Sequence, residues 1–266
     1  RVCAGRPAGA AQEAQLPGLR HVPVVQRYPV RGVPEAAVVH ETGAAQGDMT
    51  TPRQRMLDAI TFKDPDRIPL VYHPSPAGLF VHGQKLLDLF RQYPSDNVVS
   101  FDSVPSPSPG TVDSNGRYHE LKTDAWGTTW EHLIFGVWGH PTAYPFPDWA
   151  AARGFSFPPV PELGTEAFRD ACRWTGTQKQ TYYLIGGGGT LLEKICSLRP
   201  MDEVLMDLHD RNPDLLDFLD RLVEYTGRSL EYAVATGNDA VMLGDDWGTQ
   251  TAAIVSPETF RAVYKP

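Results

Sequence analysis

The chain has 266 residues, a formal net charge of −8 at pH 7 and 41% hydrophobic residues, a composition typical of one large soluble domain. The acidic balance argues against nucleic acid or an acidic membrane surface as a partner. No apolar run approaches the roughly 18 residues that would span a bilayer. Cys3, Cys172 and Cys196 have no C-x-x-C spacing, which favours a reducing, cytoplasmic compartment over a disulfide scaffold.

Residues 1–48 differ in composition from the rest of the chain. They contain no Phe, Trp, Met, Ile or Lys, whereas all six Trp and all eleven Phe follow. Such a segment buries too little apolar area to offset the entropy lost on ordering, and it lacks the apolar stretch of a secretory signal. We therefore expect 1–48 to be a disordered or upstream extension, with Met49 as the natural start and 49–266 as the folded domain.

The first half of this domain is predicted to alternate between helices and strands. In "TPRQ" (51–54), Thr can cap a helix that has Pro at its first position. A turn and a short strand are predicted at 64–73, a helix at 83–93 and a strand at 96–104. Residues 110–150 are rich in Trp, Gly, Tyr and Thr, which indicates a β-ribbon inserted into the fold.

The second half repeats the alternation. The predicted order is a helix, a strand that opens into glycines, three helices, a strand and a final helix (165–175, 181–189, 190–198, 200–211, 212–237, 239–246 and 256–265). Strands that alternate with amphipathic helices are typical of parallel βα units in α/β proteins. Neither a GxGxxG nor a P-loop follows the strand at 181–189, so a (βα) barrel is favoured over a nucleotide-binding doubly wound fold.

Polar or small residues follow four of the predicted strands: His73, Asp102, the run Gly186–Gly189, and Asp245 with Asp246. Barrel active sites lie at the carboxyl ends of strands, so we predict these residues at one face. His73 is either a donor to a substrate carboxylate or a loop histidine. The glycines, with Gly186 and Gly187 as predicted substrate contacts, either admit a ligand to the backbone or allow tight strand–helix packing.

The strand "VMLGDD" ends on two adjacent acids, which face opposite sides of an extended chain. Gly244 shares a side with Asp246 and leaves room for a ligand. Val241 and Leu243 share the other side with Asp245 and suit packing against helices. We predict that Asp246 is catalytic and faces the substrate, whereas Asp245 mainly serves the loop at the edge of the substrate site.

Aromatic and amide side chains near the acids extend the predicted site. Trp247 is expected to form a wall of the substrate pocket, and Gln250 to hydrogen-bond the loop beside it. The tryptophans at 126, 130 and 138 either line the mouth of the pocket or fill a small core.

Three segments resemble the uroporphyrinogen decarboxylase superfamily: "RMLDAITFKDPDRIPL", "LIGGGGTLLEKICSLRP" and "GDDWGTQTAAIVSPETFRAVYKP". The last resembles the family's Asp-x-Trp segment followed by Ser-Pro-x-x-Phe, and the resemblance covers about 49–266. It implies a (βα)8 TIM-type barrel. A whole barrel takes about 250 residues, so we expect this chain to hold the N-terminal part, about four strands, with the ribbon as an insertion and the C-terminal part missing.

The resemblance implies an enzyme. The superfamily contains porphyrinogen decarboxylases of haem biosynthesis, which are lyases without an organic cofactor, and methyltransferases that exchange methyl groups between a corrinoid and a thiol. Asp102 matches, within one residue, the aspartate that the decarboxylases direct at pyrrole nitrogens, where a carboxylate stabilises a cation. Asp246 matches a position that faces the substrate, and Lys194 is nearest to a pocket tyrosine. An inactive truncated fragment is a further alternative.

One departure from the decarboxylase pattern bears on the substrate. In "SPAGL" (75–79), Ser75 and Leu79 stand where the decarboxylases have arginines. A porphyrinogen carries many carboxylates and needs cationic partners, so this change favours a smaller substrate, with Ser75 as a contact.

The methyltransferase branch also implies a metal. It binds zinc through a His-x-Cys element and a later Cys, which would lie beyond Pro266. We therefore predict no metal or cofactor in this chain, but zinc and a corrinoid partner for the full-length protein. The predicted partners are a small-molecule substrate, a corrinoid protein and a second copy in a homodimer.

Overall fold

The structure, a computed structural model, describes residues 50–99 and 102–265. The predictions for 1–48 and for Met49 lie outside the described residues, as does the middle of the strand predicted at 96–104. Within the described ranges the fold is mixed α/β, with helices, a three-stranded antiparallel sheet and a two-stranded parallel sheet.

The helices and strands are numbered here in chain order. The helices are α1 (Pro52–Ile60), α2 (Pro76–His82), α3 (Gln84–Gln92), α4 (Glu166–Gln178), α5 (Leu192–Leu198), α6 (Met201–His209), α7 (Pro213–Ala235) and α8 (Pro257–Thr259). A 3₁₀ helix spans Trp149–Gly154, and α8 continues as a π-helical turn over Phe260–Tyr264. The strands are β1 (Glu120–Thr123), β2 (Thr129–His132), β3 (His140–Ala143), β4 (Ile185–Gly186) and β5 (Ala240–Val241).

Helix starts follow local sequence signals. The Thr51 hydroxyl accepts a hydrogen bond from the Gln54 N–H at 3.1 Å, and Ser256 caps α8 in the same way through the Thr259 N–H at 3.0 Å. The Asn212 side chain accepts from the first amides of α7. The predicted caps of these three helices are therefore confirmed, because a cap needs only residues within one turn.

The two sheets match the predicted insertion and the predicted parallel unit. Strands β1, β2 and β3 form an antiparallel ribbon within 110–150. Strand β4 pairs in parallel with β5, and α5, α6 and α7 lie between them in sequence. The pairing extends beyond the short ladder, since the Met242 N–H donates to the Gly186 carbonyl at 3.1 Å and the Gly244 N–H to the Gly189 carbonyl at 3.3 Å. The described residues contain no closed barrel.

The strands predicted at 64–73 and 96–104 are wrong within the described residues, where neither segment joins a sheet. The segments are linked instead by a hydrogen bond from the Asp96 N–H to the Leu70 carbonyl at 2.6 Å and by ion pairs. Asp96 is buried and pairs with Arg55 and Arg67. A strand depends on a partner elsewhere in the chain, which the local apolar pattern does not supply.

Helix α2 was not predicted. Ser75 begins it, accepting a hydrogen bond from the Gly78 N–H at 3.3 Å, and Pro76 occupies its first position. This repeats the Thr–Pro signal that starts α1, so the sequence did contain the signal for α2.

One aromatic and aliphatic core joins α5, α6 and α7 to the segment 146–157. Phe218 of α7 is fully buried and packs against Phe157 with stacked rings and against Phe146 edge to face. The buried members of this helical core are Phe146, Trp149, Ala152, Leu192, Ile195, Leu198, Val204, Leu208, Leu215, Phe218, Leu219, Leu222 and Val255.

The parallel sheet is much less covered. Ile185, Val241, Met242 and Leu243 all expose large parts of their side chains. Among the residues that the structure describes, no helix is both long and apolar enough to traverse a membrane.

Candidate functional site

A cavity of about 510 Å³ opens at the carboxyl ends of β4 and β5. Parallel strands bring these ends to one edge of a sheet, where α/β proteins place their ligands. The lining comes from the glycine run, from the start of α5 and from the acids after β5. It consists of Gly188, Gly189, Thr190, Glu193, Met242, Gly244, Asp245 and Asp246.

Asp245 is fixed by the backbone of α5. Its carboxylate accepts hydrogen bonds from the Leu191 and Leu192 N–H groups at 2.9 and 2.7 Å, and from the Glu193 N–H at 3.0 Å. Amides at a helix start have no partner within the helix, and the residue before α5 offers no side-chain cap. Asp245 therefore caps α5 from across the sheet, a role that differs from the support of its own loop that was expected. Its predicted place at the edge of the substrate site stays a prediction.

Asp246 is exposed and forms part of the cavity wall. Its Oδ1 accepts a single hydrogen bond, from the Gly248 N–H at 3.2 Å. Within the described residues it forms no ion pair. A carboxylate with this environment keeps acceptor capacity for a ligand. Its predicted catalytic role stays a prediction.

The glycines are required mainly by packing. A Cβ on Gly186 would lie 2.5 Å from the Asn238 Cγ, and one on Gly189 would lie 2.6 Å from the Thr226 Cγ2. Gly187 has φ +76°, and a Cβ at this position would lie 2.8 Å from the Leu230 Cδ2. Packing therefore accounts for three of the four glycines without a ligand, and neither Gly186 nor Gly187 lines the cavity beside Asp246.

A second cavity, of about 450 Å³, adjoins the first. Both are lined by Thr190 and Glu193, so the two cavities are neighbours, and we refer to them together as the groove, which extends from Asp246 to the ribbon. The ribbon contributes Trp130 and Trp138, whose ring centroids lie 5.6 Å apart at an interplanar angle of 71°. These two tryptophans lie at the mouth of a pocket, whereas the third predicted one, at 126, packs against the helical core.

Lys194 also lines the second cavity, but its ammonium group is engaged elsewhere. Its Nζ lies over the ring of Trp126, 4.5 Å from the centroid. Burial lowers the pKa of Lys194, and nearby Asp124 opposes that effect. Most lysines on helices extend into solvent, but this side chain folds inward onto an indole.

A third cavity, of about 600 Å³, lies between the sheet, α7 and the C-terminal helix. Trp247 lines it and packs against Tyr264, with ring centroids 4.4 Å apart. Trp247 therefore lines the third cavity, which shares Gly189, Gly244 and Asp245 with the first, and it does not line the first cavity beside Asp246. Its predicted contact with the substrate stays a prediction. In an extended segment, residue 247 shares the side of residue 245, not that of 246.

Two groups near this third cavity have strongly altered acidity. Burial, with smaller contributions from Asp245 and Glu193, raises the pKa of the Cys196 thiol to about 12. Burial also raises the pKa of Tyr264, whose hydroxyl has no hydrogen-bond partner in the described structure. Neither group is poised for acid–base chemistry near neutral pH.

The remaining predicted site residues lie outside the groove. His73 is exposed and within 3.3 Å of the Asn97 Nδ2, and Ser75 caps α2. Asp102 is exposed, and its backbone carbonyl accepts a hydrogen bond from Arg91 at 3.3 Å. Gln250 is exposed in a loop whose hydrogen bonds come from Thr249 instead. The predicted convergence of four strand ends is thus seen for β4 and β5 alone.

Sequence reasoning missed Thr190 and Glu193. They follow the glycine run directly, at the start of a predicted helix, and that position after a strand of an α/β protein is the signal that could have identified them.

In the part of the chain that the structure describes, no cluster of three or more His, Cys, Asp and Glu side chains could hold a metal ion.

Comparisons with protein-family models, with curated proteins and with solved structures found no match. The resemblance to the uroporphyrinogen decarboxylase superfamily rests on the quoted segments alone.

Proposed function

We propose that this chain is the N-terminal part of an enzyme of the uroporphyrinogen decarboxylase superfamily. The observation that carries the proposal is Asp246, an exposed acid that lines a groove at the carboxyl ends of two parallel strands. Barrel enzymes take their catalytic residues from such strand ends. The three segments of similar sequence add to this support.

By family name, the reaction is decarboxylation of a porphyrinogen. Asp246 is one of the acids of the groove that would stabilise a positive charge developing on a substrate ring. Asp102, the other acid of this proposal, does not line the groove, so the structure offers no joint role for the two.

A specific observation favours the alternative, methyl transfer to or from a small substrate. The two positions that hold arginines in the decarboxylases are a helix cap, Ser75, and a fully buried leucine, Leu79. Neither can pair with substrate carboxylates. The groove itself contains Glu193, Asp245 and Asp246 but only one cationic side chain, that of Lys194, which would disfavour a polyanion.

In the alternative, a corrinoid bound to a partner protein would supply the methyl-carrying chemistry. The residues of this chain would bind the small substrate in the groove, orient it and exclude water. An inactive fragment remains the third candidate.

The test assays the complete protein with uroporphyrinogen and, separately, with a methylated corrinoid and candidate acceptors. Asp246→Asn should lower kcat/KM at least about tenfold, equal to about 1.4 kcal/mol of transition-state stabilisation. Asp245→Asn is the matched control and should mainly lower stability. Full turnover by Asp246→Asn with the substrate that proves active would contradict the proposal, as would a lack of turnover of any tested substrate by the wild type.

A further inference from the structure

The two tryptophans of the ribbon form an unusual surface. Trp138 is 82% exposed, the largest exposed fraction of any tryptophan in the described residues. The Trp130 Nε1 donates to the Asp124 Oδ2 at 2.9 Å, which fixes the orientation of that indole. Because the rings meet nearly at right angles, they form two adjacent walls of a corner. An exposed indole offers an apolar face with a negative electrostatic potential to a ligand.

The charges around this corner are negative. The Glu193 carboxylate lines the corner and, like Asp246, has no ion-pair partner within residues 50–99 and 102–265. The charge of Asp245 is compensated by three backbone amides. The one nearby cation, Lys194, is directed at Trp126. Two carboxylates therefore remain to attract a cation into the groove.

We propose that the Trp130–Trp138–Glu193 corner binds a small organic ammonium cation, such as a trimethylated amine. The indole faces would attract the positive charge through their quadrupoles, and the methyl groups would bury against the rings. Glu193 would supply the counter-charge, because a quaternary ammonium cannot donate a hydrogen bond.

The proposal rests on the methyl-transfer alternative of the proposed function and deepens it, because it names the substrate class of the same groove. It does not need turnover, since binding can be measured alone. If the enzyme is active but choline neither binds nor competes with the substrate, the proposed function is supported and the ammonium site is contradicted. If choline binds but no substrate is turned over, the ammonium site is supported and the proposed function is contradicted.

Binding is measured by titrating the 266-residue chain with choline, followed by tryptophan fluorescence and by calorimetry. The control ligand is 3,3-dimethylbutan-1-ol, which has the shape of choline but no charge. We expect choline to bind about fivefold more tightly than the alcohol. Equal affinities would show only an apolar pocket and would overturn the proposal, as would an absence of choline binding by a folded chain.

Variants assign the site. Trp138→Ala and Glu193→Gln should each weaken choline binding about fivefold or more. Trp174→Ala, at an exposed tryptophan of α4, and Glu224→Gln, at an exposed acid of α7, should leave it unchanged. Both target side chains are exposed, so their removal should not unfold the chain, and near-ultraviolet circular dichroism of the buried Trp149 checks this. Unchanged affinity in a folded Trp138→Ala variant would overturn the assignment.

Discussion

The helical core and the parallel sheet differ sharply in how well they are covered. In the core, Phe218 and Leu222 of α7 are almost completely buried. In the sheet, Met242 and Leu243, which continue β5, are each 61% exposed. The core thus supplies most of the hydrophobic stabilisation, whereas the sheet edge holds the acids and the groove with little packing of its own. The packed core and the candidate groove therefore occupy different places in the fold, although α5 contributes residues to both.

Truncating one leucine in each region tests this separation with the same chemical change. Leu222→Ala should lower the free energy of unfolding by about 3 to 4 kcal/mol, because it leaves a cavity in a close-packed core. Leu243→Ala should cost less than about 1 kcal/mol, since that side chain already contacts solvent. Urea denaturation followed by tryptophan fluorescence measures both. Equal losses would mean that the sheet is packed as tightly as the core.

The next largest loss of stability is expected at the ion pairs that link α1 to the parallel sheet. Asp239, just before β5, pairs with Arg53 and with Lys179, and accepts a hydrogen bond from the Leu184 N–H at 2.9 Å. Its side chain is 8% exposed. Asp239→Asn should cost about 2 to 3 kcal/mol, because the cations lose a buried partner. Asp170→Asn, at an exposed pair within α4, is the control and should cost less than about 0.5 kcal/mol.

Asp239 also predicts a pH dependence. Burial alone would raise its pKa, but hydrogen bonds from Arg53, Leu184 and Lys179 outweigh that effect and hold the pKa well below its usual range. A depressed pKa gives stability that is present above the unfolded-state pKa, about 3.9. That stability should be lost as the pH falls below about 4. Acid titration of the unfolding free energy should show a shallower fall for Asp239→Asn; parallel curves would contradict the assignment.

A smaller change in the free energy of unfolding should distinguish Asp245 from Asp246, the two acids after β5. Asp245→Ala removes the acceptor for three amides of α5 and should cost about 1 to 2 kcal/mol. Asp246→Ala should change stability by less than about 0.5 kcal/mol. Hydrogen exchange at Leu191, Leu192 and Glu193 should accelerate in the first variant only. Faster exchange in both variants would show that Asp246 also supports the helix.

The last comparison concerns the reactivity of two thiols and requires no measurement of stability. Cys196 packs against the helical core, whereas Cys172 lies on α4, away from that core. Both cysteines are partly exposed, but burial of the Cys196 thiol raises its pKa to about 12, which leaves almost no thiolate at pH 8. Iodoacetamide should therefore modify Cys196 more than about a hundredfold more slowly than Cys172. Peptide mass mapping gives both rates, and urea should equalise them. Similar rates in the native chain would mean that Cys196 is not shielded.

The sequence predicted the features that depend on a few neighbouring residues. Caps at Thr51, Asn212 and Ser256 needed only a side chain and an amide one turn apart. The strand at 64–73 failed because its apolar residues have no partner strand, and Asp96 instead collects two arginines.

The part of the site that depends on neighbouring residues was also predicted. Alternation along "VMLGDD" gave the different surroundings of Asp245 and Asp246, but the same rule should have put Trp247 on the side of Asp245. The sequence could not decide whether Trp130 and Trp138 line a pocket or fill a core, because that depends on how the ribbon packs beside α5.

The hydrogen bonds of Asp245 have a consequence for synthesis of the chain. The cap of α5 is 52 to 54 residues downstream of the amides that it binds. At ribosomal rates of about 5 to 20 residues per second, α5 emerges roughly 3 to 10 s before its cap. Until then water must satisfy those amides, and β4 has no neighbour in β5. A nascent chain therefore carries the complete sequence of α5 for several seconds before that helix can acquire its native start.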